Sequence, residues 1–196
     1  SEWESVFMKL FLSLLIFFLS LQSWTKADIS EFEIEGISIG DSLLNFITVN
    51  EIKKKSSDTH YYKDNKYVYY FFPSLDFLTT YESLQVTVKP NDKKYKIEGV
   101  DGVIRYKDIK ECNKKLAEIK NELENVFGID AIYDEGQHPG YIDSTYKRFV
   151  FQLPDGRVDC VCFDMSKKLE NQGKLDSLYI SIVSEDFNQF ITYENY

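Results

Sequence analysis

Residues Tyr146–Asp164, YKRFVFQLPDGRVDCVCFD, contain the pattern that decides the fold. Two runs rich in aromatic and β-branched residues, Tyr146–Leu153 and Arg157–Asp164, flank a Pro-Asp-Gly sequence that is typical of a hairpin turn. Strands joined by so short a turn pair antiparallel, because a parallel pair needs a longer crossover connection. The segment therefore predicts a hairpin within an antiparallel sheet.

Further strand-like runs lie on both sides of this hairpin. Residues Phe32–Gly40 alternate apolar and polar side chains, as a short strand or an extended lead-in does. Residues 129–144 are predicted to be a loop, because Gly136, Pro139 and Gly140 interrupt them. The remaining predicted strands are Lys66–Phe72, Ser83–Lys89, Lys94–Tyr106 and Leu175–Val183.

Three helices are predicted around these strands. The first begins at the N-cap Asp41, and Asn50 is a candidate cap for a second short turn. The second runs from the N-cap Asp108 to Gly128, where a left-handed residue ends it. A short terminal helix is capped by Ser184. One apolar stripe follows the second helix, formed by Ile109, Cys112, Leu116, Ile119, Leu123 and Val126.

This order predicts an α+β domain with an antiparallel sheet and helices packed on one face. The elements run helix, three strands, helix, three strands and a short C-terminal helix. The two halves share no clear sequence identity, so a duplication is an architectural hypothesis only.

The N-terminus resembles a secretory leader. Met8-Lys9 is followed by the uncharged run Leu10–Leu21, and the small residues Thr25 and Ala27 then fit a cleavage site before Asp28. The apolar run is shorter than the roughly 20 residues needed to span a bilayer, so we expect no stable membrane insertion after cleavage. The alternative is an uncleaved signal anchor.

We therefore predict a signal peptide over residues 1–27, of which residues 1–7 are a possible upstream extension. The single exported domain is predicted over residues 28–196, in the periplasm or the medium. The net charge of −9 disfavours nucleic acid as a partner.

The sequence lacks the common catalytic motifs, and no catalytic residue, cofactor or metal ligand is assigned. A catalytic Cys–His pair and a soft-metal site on Cys160 and Cys162 are alternatives that lack further ligands or bases. His138 with Asp134 and Glu135 is a candidate weak metal or pH-sensitive site.

The cysteines are Cys112, Cys160 and Cys162. Cys112 lies on the apolar stripe of the second helix and so points at the sheet. Cys160 and Cys162 are two residues apart in a strand and share a face. A disulfide from helix to sheet is therefore plausible, and either strand cysteine could be the partner.

The mature chain resembles a group of small exported proteins of AT-rich marine bacteria, which have no assigned activity. Four blocks carry the resemblance: FEIEGISIGDSLLNF, KKYKIEGVDGVIRY, the helix of Cys112, and RVDCVCFDMS with LDSLYISIVSEDF. It implies a Cys112–Cys162 disulfide and a free Cys160; Met165 departs from the group's usual aromatic residue. The helix opening GISIGDSLLNFI is also similar to that of the outer-membrane assembly lipoprotein BamE and of β-lactamase-inhibitor-like repeats, which bind proteins.

The predicted function is therefore non-catalytic binding of an envelope protein or a small ligand. The predicted binding surface consists of the sheet tyrosines Tyr67 and Tyr69 together with the 129–145 loop, which carries His138. The alternative is an exported enzyme of unknown class, such as a hydrolase, with its site in that loop.

Overall fold

The computed structural model describes residues 28–194, so the predicted signal peptide lies outside the described residues. Within that range the strands form one two-stranded hairpin and one eight-stranded antiparallel sheet. The strands are β1 (Glu33–Ile34), β2 (Ile37–Ser38), β3 (Asp58–Tyr61), β4 (Val68–Phe72), β5 (Ser83–Val88), β6 (Ile97–Tyr106), β7 (Ile132–Gln137), β8 (Thr145–Leu153), β9 (Gly156–Asp164) and β10 (Asp176–Ser184). The order in the large sheet is β3-β4-β5-β6-β10-β9-β8-β7.

Helical segments of the described residues are short, with one exception of 19 residues. The α-helices are α1 (Val49–Lys55), α2 (Ile109–Phe127), α3 (Lys167–Glu170) and α4 (Glu185–Gln189). Turns of 3-10 helix cover Ile29–Glu31, Leu43–Asn45 and Lys63–Asn65, and a π-helical turn covers Phe190–Glu194. Between residues 28 and 194, none of the helices has the length and apolar character needed to cross a bilayer.

The predicted element order is wrong, because each half of the sheet has four strands instead of three. Strands β3 and β7 were missed, and β7 occupies much of the segment predicted to be a loop. Both are edge strands with mostly exposed residues, DTHY and IYDEGQ, so neither shows the apolar alternation that indicates a strand. Strands β6 and β10 pair antiparallel and join the two halves at the centre of the sheet.

The start of the chain also differs from the prediction. Residues 32–40 form the β1–β2 hairpin instead of one strand, and Glu35 and Gly36 occupy its turn with φ values of 54° and 77°. The first helix is divided into a 3-10 turn capped by Ser42 and α1 capped by Thr48, so the predicted caps Asp41 and Asn50 are wrong. Thr48 is the N-cap of α1 because its side chain forms a capping box with Glu51.

The two faces of the large sheet are covered by different elements. We call the face that carries Cys160 and Cys162 the inner face, and the face that carries Asp159, Val161 and Phe163 the outer face. The inner face is buried beneath the 3-10 turns Ile29–Glu31 and Leu43–Asn45, the β1–β2 hairpin, α1 and α2. Its largest fully buried side chains include Phe72, Leu84, Phe151, Leu178 and Ile182.

Helix α2 is the element that the sequence predicts best. Asp108 accepts the N–H of Lys110, and Gly128 ends the helix with a left-handed φ of 65°. A disulfide joins Cys112 of α2 to Cys162 of β9 with a Cα–Cα distance of 6.0 Å, which confirms that pairing, and Cys160 is a buried free thiol.

The prediction that all helices pack on one face is wrong. Helix α4 follows β10 directly, with Ser184 as its cap as predicted, and it packs on the outer face. Gly99 makes this possible, because a Cβ there would lie 3.2 Å from ring atoms of Phe187. The outer face therefore has a covered end beneath α4 and an open part elsewhere.

Candidate binding site on the outer face

The predicted binding surface does not form as expected, because Tyr67 is only 1% exposed. Its ring centroid lies 4.8 Å from that of Phe187 and 4.9 Å from that of Phe190, and burial raises the pKa of its hydroxyl. Tyr67 thus belongs to the hydrophobic cluster beneath α4. Sequence reasoning missed this role because it placed no helix on the outer face.

Tyr69 lies on the outer face but is partly buried. Its ring centroid is 5.3 Å from that of His60 and 5.9 Å from that of Tyr62, and burial raises the pKa of its hydroxyl. These rings form the margin of the covered end. His138 lies at the other end of the outer face, so the structure does not bring it together with Tyr67 or Tyr69.

Two hollows indent the open part of the outer face in the described residues, and Phe163 lies between them. Each has a volume of about 360 Å³, near the lower end of the range for small-molecule sites. The hollow with more lining residues is called the first hollow. It is lined by Val103, Arg105, His138, Tyr141, Phe163, Met165, Gly173, Lys174, Leu175, Ser177 and Tyr179. The second hollow is lined by Gln137, Pro139, Tyr146, Arg148, Val161 and Phe163.

The first hollow is built from the sheet and two neighbouring loops. Alternate residues of β6, β9 and β10 supply Arg105, Phe163 and Tyr179, because side chains in a strand alternate between faces. His138 follows the end of β7, and Lys174 precedes β10. The loops therefore close two sides of a floor that the sheet provides.

Aromatic rings surround His138 in the first hollow. Its ring centroid lies 4.5 Å from that of Phe163 and 4.7 Å from that of Tyr141. Phe163 in turn meets Tyr179 edge to face at 5.3 Å. Such rings offer flat apolar area with little conformational entropy to lose on binding.

The protonation state of His138 follows from its surroundings. The backbone N–H of Gly140 donates to His138 Nδ1 over 2.9 Å, so the neutral ring carries its proton on Nε2. Burial and the ammonium group of Lys174 both lower the pKa of His138. At neutral pH the ring is therefore an uncharged donor through Nε2.

The charge in the first hollow is positive. Lys174 Nζ lies 2.5 Å from the hydroxyl of Tyr141 and 4.3 Å from the centroid of its ring. Arg105 forms an ion pair with Glu82 at 2.9 Å on the rim. No carboxylate is among the lining residues in the described part of the chain.

The second hollow is electrostatically different. Arg148 Nη2 donates to Asp134 Oδ2 over 2.5 Å, and the hydroxyl of Tyr146 donates to the same oxygen over 2.9 Å. The bond from Tyr146, together with Arg148, lowers the pKa of Asp134. The positive charge of Arg148 in the second hollow is therefore neutralised by the ionised carboxylate of Asp134.

A row of polar residues crosses the centre of the outer face. Asp101 and Asp159 both lie directly opposite Ser181, on the strands that flank it. The hydroxyl of Ser181 donates to Asp101, whose pKa burial raises to about 6. Asp159 accepts a bond of 2.7 Å from Arg157 Nε, and burial also raises the pKa of Asp159.

Sequence reasoning found no paired carboxylates, because Asp101 and Asp159 are far apart in the chain. A local signal was present in both strands. Asp159 precedes Cys160, and Asp101 stands between Val100 and Gly102, so each carboxylate occupies the face opposite to apolar neighbours.

The arrangements that would favour an enzyme site in this loop do not form among the described residues. Cys160 lies on the inner face, where burial raises the pKa of its thiol to about 12. Asp134 is bound to Arg148, and the Tyr133 hydroxyl donates to Glu135, so neither carboxylate joins His138. Residues 28–194 contain no group of three potential metal ligands.

Comparisons with known proteins do not extend this description. No protein-family model, curated protein or solved structure matches the chain. The resemblance to exported proteins of marine bacteria stays a prediction.

Proposed function

We propose that this protein is an exported, non-catalytic binding protein that captures a small ligand on the open part of its outer face. The single observation that carries the proposal is the unequal cover of the sheet. Helices and the N-terminal hairpin bury the inner face, whereas aromatic rings remain partly exposed around concave hollows on the outer face.

Two features support export. A disulfide joins α2 to β9, and disulfides persist in oxidising compartments such as the periplasm or the medium. Cleavage after Ala27 would also leave the fold intact at its start. The N–H of Ile29, which is buried, donates to Asp155 Oδ2 over 2.9 Å. Intact mass of the exported product should correspond to a chain that begins at Asp28.

A small ligand fits the outer face better than an envelope protein does. A protein partner usually covers about 800 Å² on each side of an interface, whereas the two hollows are confined and differ in charge. A small ligand needs only one hollow. Because a protein interface is larger than one hollow, we expect a protein partner to contact both hollows, and one variant in each hollow tests this difference.

The experiment is a screen of anionic, neutral and cationic ring fragments by ligand-observed NMR. Binding should weaken in Tyr179→Ala, because Tyr179 lines the first hollow and not the second. It should persist in Arg148→Gln, because Arg148 lines the second hollow and not the first. Tyr61→Ala is the matched control, because Tyr61 is a 52% exposed aromatic on the edge strand β3.

The outcomes separate the possible functions. Fragments that bind equally to the native protein and to Tyr179→Ala would reject the first hollow as the site. Capture of an envelope protein that both Tyr179→Ala and Arg148→Gln weaken would favour the protein-binding alternative. Turnover of a fragment would favour the enzyme alternative.

A further inference from the structure

The first hollow differs from the second in how its cations are partnered. In the second hollow Arg148 is bound by Asp134, so the positive charge is already neutralised. In the first hollow Arg105 pairs at the rim with Glu82, which is not a lining residue. Among the described residues no carboxylate forms an ion pair with Lys174.

On this basis, and resting on the proposed function, we propose that the first hollow binds a small organic acid whose carboxylate is attached to a ring. The chain has 32 Asp and Glu residues against 23 Lys and Arg, yet none of its described carboxylates lines this hollow. A site for an anion in an acidic protein requires such a local exclusion of carboxylates.

Three side chains that line the first hollow can donate hydrogen bonds to a carboxylate. The ammonium of Lys174 has three N–H donors, and one contacts the Tyr141 hydroxyl. The Nε2–H of His138 is a further donor, because Nδ1 already accepts the Gly140 N–H. Arg105 keeps N–H groups beyond the one that binds Glu82. Hydrogen bonds between charged groups are about twice as strong as neutral ones.

The walls of the hollow suit a ring. Phe163 and Tyr179 meet edge to face, and His138 packs against Phe163, so the rings present faces at different angles. Both an aromatic ring and the apolar face of a sugar ring can pack against such surfaces. The shared chemistry is a ring with an attached carboxylate, and it could come from an aromatic acid or from a sugar acid.

The test uses matched pairs of acids and neutral analogues. Benzoate is compared with benzamide, and glucuronate is compared with glucose, by titration against the native protein. The measured signal is the chemical shift of the His138 imidazole, which lies in the hollow. We expect at least one acid to bind about 10-fold more tightly than its neutral partner, because a charged hydrogen bond contributes on this scale.

Variants of Lys174 identify the source of this preference. Lys174→Gln should remove the difference between acid and neutral analogue, and Lys174→Arg should retain most of it. Lys168→Gln is the matched control, because Lys168 is an exposed lysine of helix α3 outside the hollow. Higher salt should weaken the binding of the acid and leave the binding of the neutral analogue unchanged.

Several results would overturn the inference. Neutral analogues that bind as tightly as the acids would show that charge does not matter. Inorganic phosphate that competes as well as the acids would show that the ring does not matter. If neither acid shifts the His138 signal at millimolar concentration, the inference is wrong.

Failure of this inference is distinguishable from failure of the proposed function. If only neutral or cationic fragments bind, and their binding depends on Tyr179, the proposed function is supported and the preference for a carboxylate is wrong. If binding of no fragment of any charge depends on Tyr179 or on Arg148, both are wrong. Folding of each variant is checked by the native spectrum before titration.

Discussion

The inner and outer faces of the large sheet are made by alternate residues of the same strands, yet they differ in composition and in the elements that cover them. On the inner face, Cys160, Cys162 and Leu178 are all at most 1% exposed and belong to one apolar cluster. On the outer face, the neighbouring residues Asp159, Val161 and Phe163 combine charge with apolar surface. The comparison shows that a period of two can place an apolar set and a mixed set of side chains on opposite faces of one strand.

The cover of the two faces explains the difference. The inner face is packed by α2 and held by a covalent bond to it, so its side chains need only fill space. The outer face is covered by α4 at one end and is open at the other. Between these two ends the face keeps buried polar groups, such as Asp159, which is 6% exposed and accepts a hydrogen bond from Arg157.

The largest expected effect concerns the covalent bond on the inner face. Cys112→Ala with Cys162→Ala should lower the free energy of unfolding by about 4 kcal/mol, since the bridge closes a loop across a sequence separation of 50. Urea unfolding monitored by circular dichroism measures this change. Cys160→Ala is the control and should cost less, because it removes a thiol and keeps the bridge. Recovery of three free thiols from native oxidised protein would contradict the pairing.

The next test compares one phenylalanine on each face. Phe151→Ala on the inner face should cost about 3–5 kcal/mol and destabilise the whole sheet, because the ring is fully buried in the main cluster. Phe187→Ala on the outer face should cost less and act locally, by releasing α4 from Tyr67. Hydrogen exchange measures both. Equal loss of protection across the sheet in both variants would show that the faces are not independent.

A substitution in the polar row of the outer face should raise the free energy of unfolding, whereas the substitutions above lower it. The pKa of Asp101 is about 6 in the folded protein against an ordinary value of 3.8, so folding favours its protonated form. The associated stability is complete below pH 3.8 and is lost as pH rises through 6. Asp101→Asn should therefore raise stability at pH 7 by about 3 kcal/mol, with no gain at low pH.

Urea unfolding across this pH range checks the prediction for Asp101. Asp58→Asn is the matched control, because Asp58 lies in the same row on the exposed edge strand β3. A gain that persists unchanged at pH 3 would show that titration of Asp101 is not its cause.

The smallest expected effect is at His138. Its pKa is lowered in the folded protein, so folding favours the neutral ring. Stability from this source is complete above the ordinary value of 6.5 and is lost as pH falls below it. His138→Gln should abolish the part of the stability loss below pH 6.5 that comes from protonation of the imidazole. NMR titration of the imidazole measures the pKa directly, and a value above 6.5 would contradict the prediction.

The parts of the fold that the sequence predicts are those whose signal is local. Helix α2 shows an apolar stripe and terminal caps, and the β8–β9 hairpin shows its turn, so both were predicted close to their observed bounds. Edge strands β3 and β7 have no such signal, because an edge strand buries little and needs no apolar alternation. The two faces of one strand can be inferred from its period, but what covers each face cannot.

The candidate site shows the same division. His138 was identified as a site residue because it is a histidine in a segment with turn-forming residues. Lys174, Phe163 and Tyr179 were missed, since each is unremarkable in its own segment and gains meaning only from its neighbours across strands. Tyr67 was misassigned, because its burial depends on a helix more than 100 residues away in the chain.

The sequence by itself determined the antiparallel hairpin, the long helix, the cysteines that could face each other and the acidic character of the chain. These follow from residue periodicity, turn chemistry and composition, which act over a few neighbouring residues. Only the tertiary structure decided that α4 covers one end of the outer face and that cations and rings meet around the first hollow. Those outcomes depend on packing between distant segments, where strand register and available space select which side chains become neighbours.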